Sequence, residues 1–394
     1  MRDYWEEPEV INKKINTKKI IISIVISILV ITLIVVAVLY ITNIEFRSWV
    51  DIQIFRKEVS LDSVATIELD ENQTANVYAF NKYIGILNKN KLYIYGSTGS
   101  QETSLDVQVN NPLFHSENRF LIIGESGGQK IYLIEDKEIA WESEIEGNIT
   151  QVYVNKNGYV AVIMSDTSYK SVIQVFNPDG EALFKKFLSS TIAVDVSISN
   201  DNKYLAIAEV DTSGTIIQSN IRTIIIEKAR TDPENSEEKN YKSEQNRLLV
   251  NITYQNNNRI VCMYTDGINV IENDQETEVF SNQNKKITAQ SAGLNNYFVT
   301  IQEESAGIFS ANSVINIINV ESKDTKTYTV ETSVKEMYTK GDIIALNLGT
   351  EVEFINTGGW LVKRYIASQE VTNVTVSNNI AGIIYRDKVE IINL

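Results

Sequence analysis

Eight short runs of β-branched and aromatic residues recur along this chain at similar spacing. They are Lys91–Tyr95, Lys130–Ile134, Ser171–Phe176, Arg222–Ile226, Ile268–Ile271, Val314–Ile318, Glu351–Ile355 and Lys388–Ile392. Their first residues lie 39, 41, 51, 46, 46, 37 and 37 positions apart. A strand-rich repeat of about 40 residues is typical of a propeller or a solenoid, because each unit must stack on its neighbours to bury its apolar face.

Several of these runs are preceded by a second apolar run that follows an Asn-rich or Gly-rich turn. Asn155–Gly158 precedes Tyr159–Met164, and Asn256–Asn258 precedes Arg259–Met263. Asn and Gly tolerate the positive φ of tight hairpins, so the turns recur for a mechanical reason. We interpret each unit as strand, turn, buried strand, loop, strand, turn and outer strand, which is one four-stranded propeller blade.

The repeat predicts an all-β fold, an eight-bladed β-propeller over residues 64–394, with seven blades as the alternative. No segment beyond Val64 shows a sustained apolar pattern at 3.6-residue spacing, which disfavours a helical solenoid. The chain ends on Lys388–Leu394, the third strand of the eighth unit, while Val64–Asp70 belongs to no other unit. We expect these two segments to pair, because closing the ring removes an open sheet edge that invites aggregation.

An uninterrupted run of 23 residues without a charge, Ile20–Thr42, lies near the N-terminus. At about 1.5 Å rise per residue it can cross a hydrocarbon core roughly 30 Å thick, so we predict a transmembrane helix. No small-x-small cleavage site follows, so we expect the helix to stay attached as a signal anchor. A buried helix of a soluble protein is the alternative, but between Ile20 and Val38 only Ser23, Ser27 and Thr32 are polar.

The charges around the apolar run predict its orientation. Five Lys or Arg residues precede it, and Arg47, Arg56 and Lys57 follow it shortly afterwards. Because positively charged flanks tend to stay in the cytoplasm, we expect residues 1–19 to form a cytoplasmic tail. The protein is then a single-pass protein of the cell membrane whose C-terminal domain is extracytoplasmic.

Residues 43–63 are predicted to form a stalk between the membrane and the propeller. Phe46, Trp49, Val50 and Ile54 recur at helical spacing. This spacing fits a short helix at the membrane interface with Trp49 at headgroup depth. A continuation of the membrane helix fits it equally well.

The composition of the outer part argues against nucleic-acid binding and against an intrachain disulfide. The chain has 36 Lys and Arg against 51 Asp and Glu; five of the former and four of the latter precede the apolar run, which leaves a net charge of −16 beyond it. A domain this acidic is a poor nucleic-acid binder, since phosphate contacts need clustered basic residues. Cys262 is the single cysteine, so no intrachain disulfide exists and the core alone must hold the domain.

Candidate catalytic and metal-binding residues are few. His115, the only histidine, lies in the turn-like segment Asn111–Asn118, and we expect a plain loop histidine. Any Ser/His/Asp triad would have to use it. One Cys and one His cannot supply the usual three or four zinc ligands. We therefore predict no catalytic, cofactor-binding or metal-binding residues and no cofactor.

Two further segments invite a functional interpretation. A strand would place Glu142, Glu144 and Glu146 on one face, either for a divalent cation or, as we favour, exposed to water. The segment Glu227–Arg247 is polar, mixed in charge and longer than a hairpin requires. We expect it to be a mobile surface excursion without an assigned role.

The stretch Trp141–Lys228 resembles a family of single-span proteins of Gram-positive bacteria with a WD40-like or PQQ-like outer propeller and no assigned function. The matching features are Gly158–Met164, Val172–Gly180, Val196–Ala206 and Ser213–Ser219. The resemblance implies a propeller exposed at the bacterial surface and brings no catalytic residues. PQQ enzymes add cofactor-binding residues and often paired cysteines, and this chain has one cysteine. WD40-like repeats commonly have Ser-Pro-Asp-Gly-Lys where this chain has Ser199-Asn-Asp-Asn-Lys203.

Together these features predict a membrane-anchored scaffold of the cell envelope that catalyses no reaction and presents the faces of its ring to another protein or to wall material; we expect an envelope protein as the partner. The alternative is a propeller hydrolase or a quinone-dependent dehydrogenase that uses the central channel. Fold alone does not decide between them, because propellers host unrelated functions.

Overall fold

The computed structural model describes residues 17–43, 46, 50, 54, 63, 65–69, 76–282, 285–305, 311–377 and 379–394. The chain divides into two compact units, Met1–Glu58 and Val59–Leu394. Of the predicted stalk over residues 43–63 the structure describes only residues 43, 46, 50, 54 and 63, so the stalk helix stays a prediction, and most of the predicted tail over residues 1–19 lies outside the described residues.

The first unit contains the helix α1, Thr17–Thr42. Within α1, Ile24–Thr42 is long and apolar enough to cross a membrane. The hydroxyl of Thr32 donates to the carbonyl oxygen of Ile28 at 2.9 Å, and that of Thr42 donates to Val38 at 2.8 Å. These bonds satisfy the hydroxyls inside the helix, which lets a threonine lie in an apolar environment.

Within the described residues, the second unit consists of eight antiparallel sheets of four strands each, which we number as blades in chain order. Blades 1 and 2 contain β2 (Asn76–Phe80), β3 (Tyr83–Asn88), β4 (Lys91–Tyr95), β5 (Gln101–Asp106), β6 (Pro112–Glu117), β7 (Phe120–Glu125), β8 (Lys130–Glu135) and β9 (Glu138–Glu144). Blades 3 and 4 contain β10 (Asn148–Val154), β11 (Val160–Ser165), β12 (Ser171–Phe176), β13 (Ala182–Leu188), β14 (Thr191–Ile198), β15 (Tyr204–Asp211), β16 (Gln218–Ile225) and β17 (Glu237–Gln245).

The second half of the ring repeats the same order. Blades 5 and 6 contain β18 (Leu249–Tyr254), β19 (Arg259–Tyr264), β20 (Gly267–Glu272), β21 (Gln275–Ser281), β22 (Ile287–Leu294), β23 (Tyr297–Ser305), β24 (Ala311–Asn319) and β25 (Thr325–Val330). Blades 7 and 8 contain β26 (Glu336–Lys340), β27 (Ile343–Asn347), β28 (Glu351–Asn356), β29 (Leu361–Ile366), β30 (Asn373–Ser377), β31 (Ile380–Ile384), β32 (Lys388–Asn393) and β1 (Ala65–Glu68). The predicted eight-bladed propeller is confirmed, and the seven-bladed alternative is wrong.

Each of the eight apolar runs found in the sequence lies in the third strand of a blade, from Lys91–Tyr95 in β4 to Lys388–Ile392 in β32, except that Ile226 follows the end of β16. The turns between strands use the residues expected of them. Asn202 has a φ of 61° and Gly158 a φ of 84°, in the turns that join the first and second strands of blades 4 and 3. The strand order that we inferred from the repeat is therefore the order of the blade.

The ring closes by pairing the two ends of the propeller. Strand β1 lies antiparallel to β32, with Ala65 opposite Ile391 and Glu68 opposite Lys388. The predicted pairing of the segments Val64–Asp70 and Lys388–Leu394 is confirmed within the described residues. Without β1, strand β32 would lose its outer partner and become the edge strand of a three-stranded blade 8.

The core lies between neighbouring blades. Leu92 and Ile94 of blade 1 pack with Leu121 and Ile123 of blade 2 in one buried cluster. The same kind of cluster joins blade 1 to blade 8 across the closure. Since burying one such aliphatic side chain contributes roughly 1.5–3 kcal/mol, the contacts between blades are the main source of stability.

A repeated serine also links successive blades. In three places a serine near the start of a third strand accepts a hydrogen bond from the backbone N–H where the next blade begins. The distances are 3.0 Å for Ser171 and Ala193, 2.9 Å for Ser219 and Leu249, and 3.0 Å for Ser313 and Val334. These bonds give a partner to an N–H group near the start of each following blade, which ties successive blades together around the ring.

The segment Glu227–Arg247 is not the surface excursion that its polarity suggests. It includes part of a one-turn helix, α2 (Ile226–Ala229), and then β17, the outer strand of blade 4. Strand β17 pairs along β16, and Lys239 forms an ion pair at 2.9 Å with Asp274 of blade 5. The prediction was wrong because an outer strand faces water and so carries polar residues throughout.

Candidate functional site

The first strands of the blades end around a cavity of about 590 Å³ at one face of the ring. We call this cavity the channel mouth. Seven of the eight blades contribute to its lining among the described residues. The lining includes Phe114, His115, Ser116, Glu117, Tyr153, Asn155, Lys156, Asn200, Tyr254, Gln255, Ser291, Tyr338, Thr339, Lys340 and Ser377.

Lys340 reaches across part of the channel mouth. It is the last residue of β26 in blade 7, and its Nζ donates to the carbonyl oxygen of Ser116 at 2.7 Å in blade 2. The same ammonium lies 2.6 Å from Oε2 of Glu117. Blades 8 and 1 separate these partners along the ring. The ammonium therefore ties two distant blades together inside the channel.

His115 lies in the strand β6 rather than in a turn, so the expected loop histidine is corrected. The turn-like residues around it occupy a first strand, whose channel-facing edge tolerates polar side chains. Its Nδ1 accepts a hydrogen bond from the N–H of Val154 at 3.2 Å, and its ring stacks on Tyr153 with centroids 4.6 Å apart. This acceptor role places the proton of the neutral ring on Nε2.

Burial, followed by the nearby charge of Lys340, lowers the pKa of His115 to about 4. The ring is therefore neutral at pH 7, and its Nδ1 is already occupied. Among the described contacts of His115, neither ring nitrogen bonds a hydroxyl or a carboxylate side chain. A Ser/His/Asp arrangement needs such bonds on both sides of the ring.

Asp195 holds three neighbouring first strands together and was missed by our sequence analysis. Its carboxylate accepts from Nε2 of Gln151 at 2.9 Å, from Nδ2 of Asn251 at 2.5 Å and from the N–H of Ile252 at 2.9 Å. Burial raises the pKa of Asp195 to about 7. These bonds connect blades 3, 4 and 5, so we assign Asp195 a structural role.

The glutamates singled out in the sequence are exposed. Glu142 and Glu144 share the exposed face of β9, and Glu146 lies beyond the end of that strand. Glu146 forms an ion pair with Lys185 at 3.0 Å. Within the part of the chain that the structure describes, no three Asp, Glu, His or Cys side chains come together as metal ligands.

Cys262 is fully buried in β19. Burial raises the pKa of its thiol well above the ordinary value. A buried thiol in this state is unreactive and packs as a small apolar side chain.

The opposite face of the ring carries a group of exposed apolar side chains, which we call the apolar face. Its members lie in the loops between second and third strands, or near the connections between blades, of blades 3, 4 and 5. They are Tyr169, Phe187, Ile192, Ile216, Ile217, Leu248 and Val250. The rings of Tyr169 and Phe187 pack with centroids 4.7 Å apart.

Hydrogen bonds join the loops that carry the apolar face. Lys170, next to Tyr169, donates from Nζ to the carbonyl oxygen of Ser190 at 2.9 Å, where blade 4 begins. The N–H of Asn246 donates to the carbonyl oxygen of Ile217 at 2.9 Å. The apolar side chains are thus presented on loops that the neighbouring backbone holds in place.

Comparison with known proteins places the chain in a family and supports the fold. A model described as "Family of unknown function (DUF5711)" matches residues 56–394. No curated protein matches the chain.

Three solved structures resemble the propeller. BamB from Moraxella catarrhalis is 14% identical with a TM-score of 0.50, covering 85% of this chain and 100% of that chain. Sqt1 from Chaetomium thermophilum is 11% identical with a TM-score of 0.53, covering 85% and 100%. Apo AztD from Citrobacter koseri is 11% identical with a TM-score of 0.50, covering 78% and 90%. At these identities the likeness shows the fold alone.

Proposed function

We propose that this chain, which belongs to the DUF5711 family of unknown function, is a membrane-anchored extracytoplasmic propeller that binds another protein of the cell envelope and catalyses no reaction. The observation that carries this proposal is the apolar face. The apolar helix α1 supports the anchoring, and the excess of basic residues before it supports the orientation.

The apolar face has the character of a protein-binding surface. Val250 is 46% exposed, Ile216 44% and Ile192 40%. Single exposed apolar residues are ordinary on a protein surface, whereas a group spread over three successive blades and including two packed aromatic rings is typical of an interface. Aromatic residues commonly supply the largest share of binding energy at such surfaces.

The charges of the domain define the partner's chemistry. The outer part of the chain has a net charge of −16; beside the apolar face, Asp166 lies in a loop and Asp211 at the end of β15, together with Lys170. A partner with an apolar centre and basic residues around it would match this surface in both shape and charge.

The catalytic alternatives gain no support from the described residues of the channel mouth. Nδ1 of His115 is held by the N–H of Val154, and Cys262 is buried away from the channel. A hydrolase would need a nucleophile and a base within hydrogen-bond reach of each other.

Substitution of the apolar face tests the proposal. Ile217→Asp places a charge in the apolar face, and Ile366→Asp places one on the outer strand of blade 7, where Ile366 is 60% exposed. Both variants of the full chain are produced in the native host, crosslinked in living cells and purified. We expect wild type and Ile366→Asp to capture the same protein and Ile217→Asp to lose it. Equal capture by both variants would contradict the role of this face.

Protease treatment of protoplasts tests the orientation separately. Protease added outside should remove the propeller and spare residues 1–19. Protection of the C-terminal domain would show that the propeller lies inside the cell.

A further inference from the structure

We infer that the channel mouth binds a hydroxyl-rich ligand that carries a carboxylate, an acidic sugar of about disaccharide size. This site lies at the opposite end of the first strands from the apolar face, so the inference is independent of the proposed protein partner. Three features of the channel mouth carry it: its size and polar lining, its local positive charge and its exposed aromatic surface.

The size and lining of the channel mouth suit a small polar ligand. The volume of the channel mouth, about 590 Å³, lies within the range of roughly 300–1,000 Å³ typical of ligand pockets. Gln255 donates from Nε2 to the carbonyl oxygens of Leu294 at 3.3 Å and Tyr297 at 3.1 Å. These bonds fix the amide, and they leave its buried Oε1 without a partner among the described residues. This oxygen has no accessible surface, so a ligand hydroxyl bonds instead the half-buried side-chain amide of Asn200 on the same lining.

The charges of the channel mouth oppose those of the domain. Lys156 and Lys340 line it together with Glu117, which gives a local excess of one positive charge on a strongly acidic domain. Lys156 is exposed and forms no ion pair with a described residue. Lys340 directs two of its three donors at Ser116 and Glu117. Each ammonium group therefore has a donor available for a ligand carboxylate.

An exposed aromatic surface in the channel mouth favours a sugar over a simple anion as the ligand. Phe114 is 44% exposed at the channel mouth, and its ring is held against Tyr78 with centroids 4.4 Å apart. Tyr338 lines the same cavity. The C–H face of a sugar ring can pack on such an aromatic surface while the sugar hydroxyls bond the side-chain amides that line the cavity, such as that of Asn200. An inorganic anion would use neither the aromatic ring nor the volume.

The test measures binding of three probes to the full chain in lipid nanodiscs by calorimetry: digalacturonate, neutral maltose and inorganic phosphate. We expect digalacturonate to bind more tightly than maltose and phosphate. Lys156→Met should weaken digalacturonate binding about tenfold, the effect of losing one charge-assisted hydrogen bond. The matched control is Lys82→Met, an exposed lysine in the corresponding turn of blade 1 that lies outside the channel mouth.

A second variant should change the affinity for digalacturonate in the opposite direction. Glu117→Gln removes the carboxylate that competes for Lys340, so digalacturonate should bind several-fold more tightly while maltose binding stays the same. The inference is overturned if the wild type does not bind digalacturonate, binds it no more tightly than maltose, or binds phosphate more tightly. It is also overturned if digalacturonate binding is unchanged in Lys156→Met or weaker in Glu117→Gln. Thermal melting of each variant shows whether it is folded.

Discussion

His115 provides a direct probe of the channel mouth, because it is the only histidine of the chain. Its pKa is lowered from 6.5 to about 4, first by burial and then by the charge of Lys340. This difference corresponds to roughly 3 kcal/mol in favour of the neutral ring. Lys340→Met removes the cation and leaves the carboxylate of Glu117 without its partner, and both changes should raise the pKa of His115.

The same shift predicts how stability depends on pH. Because the folded pKa of His115 lies below the unfolded value, the contribution of this group to stability is complete above about pH 6.5. It is lost as the pH falls towards 4, since the unfolded chain then binds a proton that the folded protein excludes.

The assay is a titration of the full chain labelled at histidine, followed by NMR in nanodiscs between about pH 3 and pH 8. We expect one histidine signal with a midpoint near pH 4 in the wild type and a higher midpoint in Lys340→Met. Lys82→Met should titrate like the wild type. A wild-type midpoint at or above 6.5, or no change in Lys340→Met, would refute the description of the channel mouth.

Three further predictions concern the ring. Deleting Lys388–Leu394 should sharply lower the melting temperature and the yield of folded chain, because β32 pairs with both β1 and β31; unchanged melting would contradict the closure. Glu209→Ala should reduce the free energy of unfolding by about 3 kcal/mol in denaturant titrations, since fully buried Glu209 pairs with Arg222 at 2.5 Å. Exposed Glu227→Ala, its control, should change it by less than about 0.5 kcal/mol. His115→Ala should leave partner capture unchanged, and loss of capture by a folded variant would favour an enzyme.

The third strands and the closure of the ring could be predicted from sequence because their residues are buried. Every residue of β12 is buried, so the strand appears in the sequence as a continuous β-branched run. Strand β1 was found by elimination, as the one strand-like segment without a unit. Burial on both faces leaves a signal that a single sequence shows clearly.

Strands that face water or the channel were harder to predict. Strand β17 is polar along its length, so the sequence pattern of Glu227–Arg247 predicts a mobile surface segment rather than a strand. Strand β6 contains Pro112, His115 and Ser116, and so was taken for a turn. In both cases the neighbouring strand supplies the hydrogen bonds that the local pattern does not indicate.

The two candidate surfaces could not be predicted from sequence because they join distant residues. Lys340 and Glu117 are 223 positions apart and meet only when the ring closes. Tyr169 and Ile217 lie in loops and Val250 near the start of β18, and only the stacking of blades 3, 4 and 5 brings them to one face. Neither arrangement leaves a local motif.

Site-specific photocrosslinking in living cells shows whether the propeller binds an envelope protein through the apolar face. A photoreactive amino acid is placed at Ile217 in the apolar face and, as a control, at Ile366 on blade 7 of the full chain. We expect one discrete crosslinked protein from position 217, with an extracytoplasmic region rich in basic residues, and none from position 366. The same products from both positions, or none from position 217, would contradict the claim that the propeller binds an envelope protein through this face.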